Sequence, residues 1–211
     1  MSFTPAAVER LSIDGPAGSL EAVLEDPRAP QSAYAVVCHP HPLFGGTMEN
    51  KVVTTLARAL RDASIPTLRF NFRGVGKSAG AYDDGIGETL DAAAVASWGA
   101  ARWPERRLML AGFSFGSYVA MRLAQTREAV RLILVAPPVD RFDFAALTPP
   151  RCPWQVVQGD ADELVDHRHV IAWMESMDPK PKLLLMPGVG HFFHGALPAL
   201  RSAVVDEVRS G

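Results

Sequence analysis

The chain has 211 residues, of which 48% are hydrophobic and 21% charged, and a formal net charge of −2. A composition this ordinary predicts one globular domain over residues 1–211, and the absence of like-charge blocks argues against nucleic-acid or membrane partners. No apolar run approaches the ~18 residues of a membrane span, and the opening MSFTPAAVERLSIDG has no apolar signal core, so a cytoplasmic location is expected, with Cys38 and Cys152 as separately buried thiols.

In chain order, VERLSI and LEAVLE read as two strands around the turn-forming DGPAG, suggesting an antiparallel edge. AYAVVC is apolar throughout, as expected of a strand covered on both faces. Val53, Leu56, Ala57 and Leu60 recur at helical spacing and predict a helix from about Glu49 to Asp62. PTLRFNF is the next strand, and Leu90, Ala93, Ala94 and Trp98 mark a helix ending near Arg102. RLMLAG, the helix GSYVAMRLAQ and the strands RLILVA and WQVVQG follow. A helix around His167–Met177, the strand KLLLM and a helix near Leu197–Arg209 close the pattern. Such alternation predicts a mostly parallel sheet with helices on both faces, and its chemistry belongs in the loops beyond the carboxyl ends of the strands.

Gly112-Phe113-Ser114-Phe115-Gly116 falls between a predicted strand and a predicted helix. A sharp strand-to-helix turn exposes its central serine, the flanking glycines relieve crowding, and the helix N-terminus favours developing negative charge. The pattern alone is weak; its position makes Ser114 the candidate nucleophile. A serine needs a base, and the base an orienting carboxylate, which on such a sheet arrive later in the chain, acid before histidine. The loop after WQVVQG offers Asp160, Asp162, Glu163 and Asp166; the loop after KLLLM offers His191 and His194. Asp162 is favoured as the acid, with Asp160 its competitor and Asp166 the N-cap of the next helix. His191, directly after Gly188-Val189-Gly190, is favoured as the base.

These stretches, with CHPHPLFGGTMENKVV, RFNFRGVGKSAG, GDADELV and GHFFHG, resemble the α/β-hydrolases, and in particular a small bacterial subgroup carrying a CHPHP motif. The resemblance covers Cys38 to Gly195. It implies Ser114, Asp162 and His191 as a triad and an eight-stranded sheet antiparallel only at strand two. In this fold an oxyanion is met by the N–H after the nucleophile, here Phe115, and by one from the loop after the third strand. Pro40 and Pro42 have no N–H, leaving His41, which is favoured, or Leu43.

The H-x-H pairs His39/His41 and His167/His169 could suggest metal. Neither spacing puts two rings on one side, and no further ligands accompany them, so no metal and no cofactor are expected. His39 is expected to brace its loop, and His167 and His169 to form a half-exposed helix turn. GVGKSAG resembles a phosphate loop, but Asn71 stands where that motif needs its first glycine. The stretch from Ala136 to Trp154 is too short for a substantial lid. An open cleft follows, with Phe44, Phe113, Phe115, Phe192 and Phe193 as lining candidates, some of which could simply be core. The expected activity is hydrolysis of small esters or thioesters through an acyl-enzyme, with a small acyl compound as partner. A peptidase, a silent binding protein on the same fold and a metal-dependent hydrolase are the competing readings.

Overall fold

The computed structural model of the protein describes residues 7–27 and 32–210. Its strands are β1 (Ala7–Gly15), β2 (Gly18–Asp26), β3 (Ala33–Cys38), β4 (Thr67–Phe70), β5 (Arg107–Phe113), β6 (Arg131–Val135), β7 (Trp154–Gly159) and β8 (Lys182–Met186). The helices are α1 (Lys51–Asp62), α2 (Ile86–Arg102), α3 (Phe115–Leu123), α4 (His167–Glu175) and α5 (Leu197–Arg209). The strands form one sheet in the order β1-β2-β4-β3-β5-β6-β7-β8. Only β2 runs against its neighbours, pairing antiparallel with β1 and β4, while β3 through β8 pair parallel.

The unbroken apolar runs of the central strands divide with a period of two. Tyr34, Val36 and Cys38 of β3 and Leu108 and Leu110 of β5 enter a core shared with α2, α3 and α4. Ala33, Ala35 and Val37 of β3 and Met109, Ala111 and Phe113 of β5 enter a second core against α1 and α5. Successive side chains of a strand point to opposite faces, so a strand with helices on both sides must be apolar at every position.

Several boundaries differ from the sequence pattern. DGPAG collapses to a two-residue turn, with Gly15 opposite Gly18. β4 stops at Phe70, because Asn71 turns its side chain into the neighbouring loop, accepting from Met48 N–H at 2.9 Å and donating to Glu21 at 2.9 Å. Helix α4 ends at Glu175 rather than Met177. Residues 136–153, between β6 and β7, contain no helix, so nothing helical covers the carboxyl edge there.

Candidate active site

Ser114 joins β5 directly to α3 with φ 53° and ψ −122°. A left-handed φ in a serine is strained, and its neighbours over-determine it. The Ser114 N–H donates to the Val135 carbonyl of β6 at 2.8 Å, and the Ser114 carbonyl accepts from Ser117 N–H at 2.8 Å. The two flanking glycines are required by close approach. A Cβ on Gly116 would lie 2.3 Å from the Cys38 carbonyl oxygen, and one on Gly112 would lie 2.1 Å from that of Gly116. The motif therefore lets α3 start in backbone contact with β3 and β5.

His191 and Asp162 meet Ser114 in one hydrogen-bonded row. His191 Nε2 lies 3.2 Å from Ser114 Oγ, and His191 Nδ1 lies 2.8 Å from Asp162 Oδ2. An ionised carboxylate only accepts, so Nδ1 carries the proton and Nε2 presents its lone pair to the hydroxyl. The Asp162 and His191 side chains are almost wholly buried. Asp162 also accepts from the N–H groups of Leu164 and Val165 at 2.9 and 2.8 Å and from Gln158 Nε2 at 3.1 Å. Burial pushes its carboxyl up, but the His191 contact and the two backbone donors outweigh burial and hold it below the usual range.

The other acids of that loop are engaged elsewhere. Asp160 accepts Gly188 N–H at 2.6 Å, tying the loop after β7 to the loop after β8. Glu163 accepts His191 N–H at 3.1 Å. Asp166 caps α4 through Arg168 N–H. His194 is exposed and makes no described hydrogen bond. Gln158 was missed by sequence reasoning; a glutamine inside the apolar run WQVVQG was its signal. Its Nε2 reaches Asp162 Oδ2 and the carbonyls of Gly159 and Val165, fastening the acid to its strand.

The loop after β3 uses its two histidines differently. His39 is fully buried; its Nδ1–H donates to the Pro40 carbonyl at 2.6 Å and its Nε2 accepts Phe72 N–H at 3.0 Å. With both nitrogens bonded inside the protein, burial pulls its pKa down to about 3. His41 is half-buried at the cleft, where its Nδ1 accepts Leu43 N–H at 3.2 Å and its Nε2 lies 3.2 Å from Tyr82 Oη. Leu43 N–H is thus engaged, whereas the N–H groups of His41 and Phe115 donate to no acceptor among the described residues. Gly46 lets the loop close: its N–H donates to the His41 carbonyl at 3.0 Å, and a Cβ there would lie 2.0 Å from the Pro40 oxygen.

Among the described residues no group of three His, Cys, Asp or Glu side chains is gathered to hold a metal ion. In GVGKSAG, Lys77 N–H donates to the Glu21 carboxylate at 3.1 Å. A carboxylate in that position repels the phosphate such a turn would have to bind.

Ser114 and His191 open onto a cleft of about 630 Å³. Phe44, Phe115, Phe142, Phe192, Leu164 and Val165 supply most of its wall, with the His41 ring beside them. Phe113 and Phe193, the other lining candidates, are fully buried core residues. Phe44 is 82% exposed at the rim. Cys38 and Cys152 are free thiols. Among the described residues no helix is long and apolar enough to cross a membrane.

A sequence model of the family described as "Serine aminopeptidase, S33" matches residues 32–150. A lidless α/β serine hydrolase from Xanthomonas campestris is 47% identical, with a TM-score of 0.92 over 100% of this chain and 97% of that one. An α/β serine hydrolase homologue from Coxiella burnetii is 45% identical, with a TM-score of 0.92 over 98% and 99%. An uncharacterised protein of Rickettsia prowazekii is 34% identical over 93% of this chain and 87% of its own length. The Pyrococcus furiosus esterase Pf2001, at 20% identity and a TM-score of 0.81 over 100% of this chain and 96% of its own, shares the fold. With this family match and these identities over nearly the whole length, the chain belongs to the serine aminopeptidase S33 family of α/β-hydrolases, within a small bacterial subgroup of lidless serine hydrolases.

Proposed function

We propose that the protein hydrolyses small ester or thioester bonds through an acyl-enzyme on Ser114. The observation that carries this reading is the row Asp162–His191–Ser114, at 2.8 and 3.2 Å, ending at an apolar cleft without a helical lid. His191 Nε2 takes the Ser114 proton as Oγ attacks the carbonyl carbon, while Asp162 holds the imidazole in the required tautomer and offsets the charge it gains. The oxyanion of the tetrahedral intermediate is met by the N–H groups of Phe115 and His41, each worth ~2.7–4 kcal/mol in a preorganised site. The intermediate collapses as Nε2 returns its proton to the leaving alcohol or thiol. Water then attacks the acyl-serine, giving its proton to Nε2, and the acid leaves as Oγ recovers a proton.

The family description makes a peptidase the second reading. An aminopeptidase must hold the α-ammonium of its substrate, and among the described residues no aspartate or glutamate lines the cleft. The wall favours neutral or anionic esters over peptides with a free N-terminus. We also propose the cytoplasm as its compartment, where the free thiols Cys38 and Cys152 would stay reduced.

Stopped-flow release of p-nitrophenolate from a p-nitrophenyl ester tests the reaction. An initial burst approaching one equivalent per chain, absent in Ser114→Ala, is expected. Linear release that Ser114→Ala retains would refute the acyl-enzyme.

A further inference from the structure

Among the described residues, Arg141 is the only formally charged Arg, Lys, Asp or Glu side chain lining the cleft. It sits on the segment between β6 and β7, where Arg141 N–H donates to the Pro138 carbonyl at 3.0 Å. The next residue, Phe142, anchors the segment by stacking on Tyr118 at 5.0 Å and meeting Phe115 at 5.2 Å. The guanidinium reaches across to the acid loop, where Nη2 donates to the Leu164 carbonyl at 3.3 Å. Among the described residues its remaining side-chain donors have no partner and it makes no ion pair. The nearby acids are otherwise engaged: Asp140 meets His169 Nδ1 at 2.6 Å, and Asp143 accepts Ala146 N–H at 3.1 Å.

A guanidinium with unused planar donors at an aromatic wall is a carboxylate-binding group, and low-dielectric walls focus its field into the cleft. The cleft's two other titratable side chains do not compete for that role. Burial lowers the His41 pKa more than Asp84 raises it, and His191 is already bonded to Asp162.

We infer that the cleft selects esters whose apolar body ends in an anion, with Arg141 as the specificity-determining residue that meets that anion. This rests on the proposed hydrolase reading for the bond cleaved, but not for the binding. Substrates of this class are half-esters of dicarboxylic acids and esters of carboxyphenols. A neutral ester of the same length gains nothing from Arg141.

The test pairs p-nitrophenyl monoadipate with p-nitrophenyl hexanoate, and 4-(hexanoyloxy)benzoate with phenyl hexanoate. The first pair places the anion on the acyl side and the second on the leaving-group side. Affinity for Ser114→Ala is measured by calorimetry and kcat/KM for the wild type, at low ionic strength. The inference predicts that at least one anionic ester binds ~2–5-fold tighter than its neutral match, as for an exposed ion pair, and that the gap closes in high salt. Arg141→Gln should bring the ratio to about one, and Arg141→Glu should invert it. Because Arg141 is exposed, both variants are expected to fold; unchanged far-UV circular dichroism verifies that. Equal ratios in wild type and Arg141→Gln for both pairs would overturn the inference, even with neutral esters turned over rapidly. Anion-selective binding that follows Arg141 without any turnover would uphold it and sink the hydrolase reading instead.

Discussion

On the β7–β8 side of the site, polar side chains from one loop catch the backbone of the next. Asp160 takes Gly188 N–H, Glu163 takes His191 N–H, and Asp162 takes the His191 ring and two amides of its own turn. On the β3 side, the loop carrying His41 is held by its own buried His39 and by groups in and just beyond β4. His39 accepts Phe72 N–H, Arg69 donates to the Met48 carbonyl at 3.1 Å, Asn71 accepts Met48 N–H, and Gly46 lets the chain fold onto Pro40. The first region keeps charges in place and the second keeps amides in place. Substitutions in the first should change protonation and tautomer, whereas those in the second should change geometry and leave the acid–base pair assembled.

The largest effect should separate two acids of one loop. Asp162→Asn should lower kcat by ~10⁴-fold, because an amide facing Nδ1 favours the wrong tautomer. Asp160→Asn loses only a loop tie and should cost under tenfold by the same assay. Equal losses would erase the distinction between these two carboxylates.

On the other side, Gly46→Ala must push the loop off Pro40 and displace the His41 amide. A loss of ~10²–10³-fold in kcat, the value of one oxyanion donor, is expected with KM little changed. Normal kcat in a variant whose loop has demonstrably moved would remove His41 N–H from the mechanism.

Acid stability sharpens the comparison further. His39 has a folded pKa of about 3 against ~6.5 unfolded, so between these values the unfolded chain binds the extra proton and stability falls as pH falls. From pH 7 to 5 this linkage should remove about 2 kcal/mol, read from urea unfolding. Asp162, held below its ordinary value, loses its contribution only below ~pH 4, outside that window. His39→Asn should be less stable at neutral pH yet lose about 2 kcal/mol less across the window. Parallel curves for the two proteins would contradict a buried neutral His39.

A smaller effect than that of Asp162 or Gly46 belongs to Gln158. Gln158→Leu removes one of four bonds to Asp162 and should cost about tenfold in kcat at most, with a larger loss for Asp162→Asn in the same background.

Much of this was legible in the sequence. Strands covered on both faces must be apolar throughout, so AYAVVC and RLILVA announced a parallel sheet, and the proposed order Ser114, Asp162, His191 is the one such a sheet leads one to expect. What stayed hidden depends on contacts between segments distant in sequence. Phe113 and Phe193 face the core and Phe192 the cleft, a difference that loop geometry decides. Leu43 N–H is already engaged, donating to Nδ1 of the His41 ring, which no spacing rule predicts. Arg141 carries no signal in the sequence; it stands out only because, among the described residues, the cleft wall around it holds no acid.

The central claim, an activated serine at position 114, is tested most directly by intact mass after reaction with a fluorophosphonate. The wild type should gain one label, while Ser114→Ala and His191→Ala stay unlabelled. Folded wild type that takes no label, or a Ser114→Ala protein that does, would contradict the account.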